Sequence, residues 1–530
     1  MNFWFLISLI LFSLGGVFSA QRQIQMFQQN SYYPSRYIKW VRSSFSAQTV
    51  YSAMFLIITA TLSLVNATHF LPIIAIAELI IRVFKWYNWG KNSIKKLVYT
   101  ARIKRLIFTV CTLYILLIVL SVLNLPKFIN VISILLLLAF VHFSEIVVLV
   151  SNYINMPIEK SISNYYVNDA KKILAQHKDL ITIGVTGSYG KTSVKFILNR
   201  ILSENFNTTA TPESFNTPMG IVRTVRERMK PQTEIFIAEM GAKNVGDIKE
   251  LCELCHPTMG IITAVGPQHL ETFGSVENVA DTKFELSDEV LKNEKGKIYI
   301  NFDSVPAKER AEKITDKSKI LSFGTSPDCD CMAKNISYSP SGTTFDIVYK
   351  ENKFSVTSKL LGKHSVTNIL GAVAMALDLG ISERHIRFAI SSLKPAEHRL
   401  ELKSFLNNSI LIDDAYNSNP EGCLEAVRVL GSFDGMRKII VTPGLVELGE
   451  KEYEYNFALG NEAAKQCDDI ILVGVKRAVP MQDAINKTDF NKSRMVVVQT
   501  FKQAMELLRN MTDRNTVVLF ENDLPDNYAG

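Results

Sequence analysis

Residues 181–200 read Ile-Thr-Ile-Gly-Val-Thr-Gly-Ser-Tyr-Gly-Lys-Thr-Ser-Val-Lys-Phe-Ile-Leu-Asn-Arg, and this stretch limits the fold more than any other. Leu180 to Val185 is an apolar run of strand length. Gly184, Gly187 and Gly190 punctuate the end of that run and the turn after it, then come Lys191, Thr192 and an amphipathic run with helical spacing. Strand, glycine turn, Gly-Lys-Thr and helix form a phosphate-binding loop. Glycines let backbone N–H groups approach phosphate oxygens, and the helix N-terminus adds positive potential. Lys191 can reach the outer phosphates, and the Thr192 hydroxyl can bind magnesium. The common spacing asks for glycine five residues before Gly190; Val185 stands there and Gly184 lies one place earlier.

The first 150 residues carry most of the apolar excess of a chain that is 47% hydrophobic. Five apolar segments can be drawn, roughly 3–20, 49–66, 69–84, 106–124 and 128–150. A bilayer core needs about 20 apolar residues per helix; the third segment is marginal, with Pro72 and Glu78 inside it. Loop 21–48 holds Arg22, Arg36, Lys39 and Arg42 and no acid. Loop 82–105 holds Arg82, Lys85, Lys91, Lys95, Lys96, Arg102, Lys104 and Arg105, again without an acid. The positive-inside rule puts both loops in the cytoplasm, the N-terminus outside and residue 151 inside. Phe18 and the missing charged n-region make the first segment an uncleaved anchor rather than a signal peptide. The net charge of +7 therefore reads as membrane topology, with no nucleic-acid partner. Glu78, His142 and Glu145 fall in apolar segments. They are either functional groups or a pairing of Glu145 and His142 with each other or with a neighbouring helix.

From residue 151 the pattern changes to α/β. Strands such as Glu234–Glu239 and Gly260–Val265 alternate with polar helices, the mark of a parallel sheet covered on both faces. Residues 151–395 make a central nucleotide-binding domain and 396–530 a smaller Rossmann-like one, with strands at Ser409–Ile412, Lys438–Val441, Asp469–Val473, Arg494–Val498 and Thr516–Phe520. Seven cysteines without a regular framework suit a reducing compartment. Cys252, Cys255 and His256 match a haem-attachment pattern, but on a helix of a cytosolic domain; Cys329 and Cys331 have the wrong spacing to complete a zinc site with them.

Several stretches together resemble the Mur ligase family. They are Thr186-Gly-Ser-Tyr-Gly-Lys-Thr192, Ser214-Phe-Asn-Thr-Pro-Met-Gly220, Ala238-Glu-Met-Gly-Ala242 and Gly266-Pro-Gln-His-Leu-Glu-Thr-Phe-Gly274 with Asp281-Thr-Lys-Phe-Glu285. Further on come Leu361-Gly-Lys-His-Ser-Val-Thr-Asn368, His398-Arg-Leu400, Asp413-Asp-Ala-Tyr-Asn-Ser-Asn-Pro420 and Val446-Glu-Leu-Gly-Glu450. Thr217 and Ser365 stand where that family usually has asparagine. The form of the 413–420 stretch points to the branch that adds D-alanyl-D-alanine to the muramoyl tripeptide.

The resemblance implies an ATP-dependent amide ligase of cell-envelope precursor synthesis, working through an acyl phosphate. Gly187, Ser188, Gly190, Lys191, Thr192 and Ser193 would cradle the phosphates, with Arg399 reaching the γ-phosphate and Asn368 and Asp414 contacting adenine and ribose. Thr192 and Glu239 would bind one magnesium. His269 would bind a second with Lys283, which would carry a carbamate and be oriented by Glu285. Asn216, Thr217 and Asn417 would contact substrate; Lys191, Lys283, His269 and Arg399 would carry the chemistry. Membrane helices occupy the place of the family's UDP-binding domain, so the acceptor could be lipid-linked and held at the inner membrane, with envelope-synthesis proteins as partners. The end, Leu519–Tyr528, lacks the Lys-Gly-Ser stretch usual in that branch, which leaves the amine open. Two other readings stand beside this one: an amidating subunit using ammonia from a glutaminase partner, and a non-catalytic membrane scaffold with a regulatory nucleotide domain.

Overall fold

The computed structural model describes residues 3–522 apart from 31, 44–46, 65–69, 94–95, 124–125, 269, 340–341, 395–397, 399, 416–419, 447 and 449–450. The chain divides into two compact units, residues 1–166 and 167–530.

The described residues of the first unit form helices and the links between them. Its helices are Phe3–Gln29, Pro34–Ser43, Ala47–Leu64, Leu71–Asn92, Ala101–Val122, Lys127–His142 and the start of Ser144–Gln176. Phe3–Gln29 and Ala101–Val122 are long and apolar enough to cross a membrane. The helices that meet around residue 143 qualify together but bend by 106°. The apolar segment 128–150 is therefore not one straight helix. The break frees the Val141 carbonyl, which a continuous helix would bond to the amide of residue 145. Arg82 takes it instead, Nη1 donating at 2.9 Å. The same guanidinium donates to Ser19 Oγ at 2.8 Å, lies 3.0 Å from His142 Nδ1 and pairs with Glu78 Oε2 at 3.1 Å. His142 thus pairs with the Leu71–Asn92 helix, and no hydrogen bond between described residues joins it to Glu145.

The second unit holds two sheets. The larger contains β1 (Ile181–Thr186), β2 (Thr208–Ala210), β3 (Ile235–Glu239), β4 (Met259–Ile262), β5 (Lys297–Asn301), β6 (Ile320–Gly324), β7 (Cys331–Ser339), β8 (Gly342–Tyr349) and β9 (Asn352–Ser358). Their order is β2-β3-β1-β4-β5-β6-β7-β8-β9. The strands are parallel as far as β7; β8 and β9 run antiparallel as a meander. The continuously apolar β1, β3 and β4 are buried in the centre, as parallel strands covered on both faces must be. On one face Val194, Leu198 and Ile201 of helix Lys191–Leu202 and Ile369, Val373 and Ala376 of helix Lys363–Asp378 share a core with β1, β3 and β4.

On the other face Gly184 and Gly260 pair side by side across β1 and β4. A Cβ on Gly184 would lie 2.6 Å from Leu286 Cδ1, and one on Gly260 would lie 3.1 Å from Leu286 Cδ2. The two glycines make a dimple in the sheet into which Leu286 of helix Val276–Val290 descends. Gly184 is thus a strand residue that seats a helix, and the phosphate loop proper begins at Gly187.

The smaller sheet has the order β10-β11-β15-β12-β13-β14, from β10 (Glu401–Ser404), β11 (Ile410–Asp414), β12 (Arg437–Thr442), β13 (Asp469–Val473), β14 (Met495–Val498) and β15 (Thr516–Glu521). It is parallel except for the edge strand β10.

Candidate active site

In an open α/β sheet the ligand crevice lies at the carboxyl ends of the strands, where the strand order reverses. Here the reversal falls between β1 and β4, because the chain leaves β1 towards β2 and leaves β4 towards β5. The loop 187–190 occupies that crevice and is stitched to the segment after β4. Ser188 N and Tyr189 N donate to Ala264 O at 2.7 and 3.2 Å. Ser188 Oγ donates to Gly266 O at 3.0 Å and accepts from Gly266 N at 3.1 Å.

Two loop glycines are required. Gly187 has φ +148°, and a Cβ there would collide with Thr263 Oγ1. Gly190 caps the helix at φ +83°, and its Cβ would meet Asn368 Oδ1 at 2.7 Å. Asn368 therefore lies against the loop, buried on the first turns of helix Lys363–Asp378.

Lys191 folds back over its own loop, Nζ donating to Gly187 O at 2.8 Å and Ser188 O at 3.0 Å. Burial pulls its ammonium below the usual lysine range, and the charge of Glu239 works against that shift. Thr192 Oγ1 donates to Glu239 Oε1 at 3.1 Å. Asn216 Nδ2 reaches the same oxygen at 3.2 Å. A hydroxyl and a carboxylate that meet at a helix N-terminus are the hard oxygen donors that magnesium takes. Ser193 sits in the first turn of the same helix. Thr217 caps helix Pro218–Arg228, its Oγ1 accepting from Gly220 N at 3.3 Å, which explains a threonine at that place.

Lys283 is buried at 1% exposure, one turn before Leu286. Among the described residues no hydrogen bond or ion pair reaches its Nζ. Burial, reinforced by the charge of Lys191, lowers its pKa to about 7, although Asp247 and Glu285 pull the other way. Among the described residues no hydrogen bond or ion pair joins Glu285 to Lys283. The two Glu285 oxygens accept the backbone amides of Gly246 and Lys249 at 2.7 and 2.9 Å, capping helix Asp247–Cys255.

At the entry to the smaller sheet, His398 and Leu400 hold left-handed backbones at φ +59° and +46°. Asp413 Oδ2 accepts from His398 Nδ1 and Lys403 Nζ, both at 2.8 Å. Burial would raise the Asp413 pKa, but these two donors outweigh it and hold the carboxyl below the usual range. Asp414 Oδ1 accepts Leu400 N at 3.0 Å. The two aspartates thus hold His398 and Leu400. His269, Arg399 and Asn417 lie outside the described residues.

The structure therefore gathers Gly187, Ser188, Gly190, Lys191, Thr192, Asn216, Glu239 and Asn368 at one crevice. Sequence reasoning missed Lys195, which is fully buried and ion-paired to Glu239 Oε2 at 2.9 Å. A signal was there: a lysine four residues after Lys191, on the same helical face as Leu198 and Leu202. All seven cysteines are free thiols, with Cys252 and Cys255 buried on their helix. Among the described residues no group of three or more His, Cys, Asp or Glu could hold a metal.

The profile of the Mur ligase middle domain matches residues 185–376, and that of the Mur ligase glutamate ligase domain matches 398–521. The chain is 30% identical over 341 residues to the UDP-N-acetylmuramoyl-tripeptide–D-alanyl-D-alanine ligase of Bacillus subtilis, covering 64% of this chain and 72% of that one. The Escherichia coli enzyme of the same name is 29% identical, over 55% of this chain and 64% of its own length. The solved MurF ligase of Thermotoga maritima in complex with ADP superposes with a TM-score of 0.57 at 25% identity, covering 68% of this chain and 80% of that one.

Proposed function

The chain belongs to the Mur ligase family, and on that premise we propose that it is a membrane-anchored ligase that joins a peptidoglycan-precursor carboxylate to an amine, D-alanyl-D-alanine by likeness to its relatives. The observation that carries the reading is the crevice itself, where Lys191, the Thr192–Glu239 pair and Asn368 surround one phosphate loop. ATP is the phosphoryl donor.

A carboxylate is a poor acyl donor at neutral pH. Transfer of the γ-phosphoryl group to it gives an acyl phosphate and ADP. The amine lone pair then attacks the carbonyl carbon, the C–N bond forms, and inorganic phosphate leaves with its electron pair while the amine sheds a proton. Both steps need charge neutralisation more than covalent catalysis. Lys191 is poised for this, since its two bonds to loop carbonyls can be exchanged for phosphate oxygens. The loop amides and Ser193 complete the cradle, Arg399 comes to the γ-phosphate, and Asn368 and Asp414 hold adenine and ribose. Asn216, Thr217 and Asn417 are the residues that would contact the precursor. Magnesium, held by Thr192 and Glu239 and at a second position by His269 and Lys283, would supply charge neutralisation at the phosphates.

A bare ammonium is no metal ligand, so Lys283 acts as a carbamate. Its neutral amine adds carbon dioxide, forming an N–C bond and releasing a proton, and a cation becomes an oxygen donor. A pKa of about 7 keeps much of the amine neutral in the cytoplasm, which is the condition for that step.

The helical unit anchors the enzyme in the cytoplasmic membrane, with both basic loops and the catalytic unit inside. Its acceptor is then held near the bilayer. The test is purified full-length protein in detergent with ATP and a panel of precursors, UDP-linked and lipid-linked, with D-alanyl-D-alanine, single amino acids or ammonia. Mass spectrometry should find a dipeptide adduct and ADP in equal amounts. Turnover with ammonia alone would replace this reading by an amidating one, and ATP binding without any product would leave a scaffold.

A further inference from the structure

The two oxygens of Glu239 are treated differently. Oε1 faces the phosphate loop and accepts from Thr192 Oγ1 and Asn216 Nδ2 at 3.1 and 3.2 Å. Oε2 faces away and accepts Lys195 Nζ at 2.9 Å. Lys195 is itself immobilised: it is fully buried, it donates to the Glu213 carbonyl, and its Nζ lies 4.6 Å from the centroid of the Phe196 ring. An ammonium at 0% exposure cannot do without its anionic partner. Lys195 is therefore not free to withdraw when a cation arrives.

We infer that Lys195 is a positioning residue that sets which divalent cation the site accepts, by locking Oε2 so that Glu239 can offer a metal one oxygen only. The inference rests on the proposed role of Glu239 as a metal ligand. Its chemistry is general. Calcium takes six to eight oxygens in a flexible shell and accepts carboxylates in the two-oxygen mode; magnesium demands a near-octahedral shell, keeps water, and binds through single carboxylate oxygens. A glutamate with one oxygen tied to an ammonium suits the second ion and fails the first. With the lock removed, Glu239 could rotate to present both oxygens, and the discrimination against calcium should fall.

The experiment is calorimetric titration of the full-length protein in detergent with magnesium and, separately, with calcium. ADP is present in both titrations so that the phosphate contribution is constant. Lys195→Met removes the lock and keeps the bulk. The ratio of calcium to magnesium dissociation constants should drop about tenfold or more relative to the unmodified protein. Lys195→Gln reaches one bond less far and should shift the ratio in the same direction; it carries the test if the methionine variant does not fold. Glu239→Gln should weaken both metals. A folded Lys195 variant with an unchanged ratio, alongside a metal loss in Glu239→Gln, overturns the inference and leaves the metal site standing. Unchanged binding of both metals in Glu239→Gln overturns the two together.

Discussion

The dimple formed by Gly184 and Gly260 allows a quantitative test of how the sheet places Lys283. In Gly184→Ala the new methyl would lie 2.6 Å from Leu286 Cδ1 and 3.1 Å from Met240 Sδ. Carbon atoms want about 3.5–4.0 Å, so the helix Val276–Val290 must lift by roughly 1 Å. Overpacking of that size costs about 1–3 kcal/mol. Leu286→Ala alone empties the dimple and costs about 2–5 kcal/mol. The two changes share one space, so the double variant should be less destabilised than the sum by about 1–2 kcal/mol. At roughly 2–4 °C per kcal/mol for a domain of 150–250 residues, thermal unfolding resolves that coupling. A second readout separates position from stability. Lys283 stands one turn from Leu286, so Gly184→Ala should also lower ATP turnover below its melting range, and Leu286→Ala in the same chain should restore part of it. Additive melting shifts, or full turnover in Gly184→Ala, would refute the idea that the dimple seats the helix.

Lys283 has its pKa lowered to about 7 from 10.5, so the unfolded chain binds more protons between those values and stability should rise with pH across that window, a trend that Lys283→Met abolishes in pH-dependent denaturation. Activity should fall as pH drops through about 7 and recover in part with added bicarbonate, measured as ADP release. Gly190→Ala, strained at φ +83° and driven against Asn368, should lose ADP binding by at least about tenfold in calorimetry while the sheet stays folded. A reporter fused after residue 530 should be active only in the cytoplasm; activity outside would reverse the topology read from the two basic loops.

The central sheet was legible because apolar runs such as Ile235–Glu239 and glycine punctuation are local signals. The phosphate loop was legible for the same reason, down to Lys191 and Thr192. Gly184 was noticed only as an offset glycine; its reason is Leu286, about a hundred residues away, and no local pattern carries that. Lys195 hid in an apolar stripe because its partner Glu239 comes from β3, distant in sequence. The meander β7–β9 and the edge strand β10 went unread since their alternation is that of half-buried strands, not of the buried parallel ones around them. The capping role of Glu285 is not legible in sequence, because the amides it accepts, those of Gly246 and Lys249, lie 39 and 36 residues away at the start of another helix. The apolar segment 128–150 looked continuous because hydropathy carries no information on a bend.

The Arg82 cluster bears on how the helical unit is made. Leu71–Asn92 carries Glu78, Arg82 and Lys85, and taken alone it does not qualify as a span. Near a bilayer centre each such charge opposes insertion by about 2.5–3.5 kcal/mol on insertion scales. Besides Glu78 of its own helix, the groups that satisfy Arg82 come from Phe3–Gln29, made earlier, and from Lys127–His142, made later. On the proposed membrane reading, this helix would wait at the insertion machinery or the interface until residue 142 has emerged. A chain truncated before His142 lacks the Val141 and His142 partners and, on that reading, should leave the segment exposed to membrane quality-control proteases.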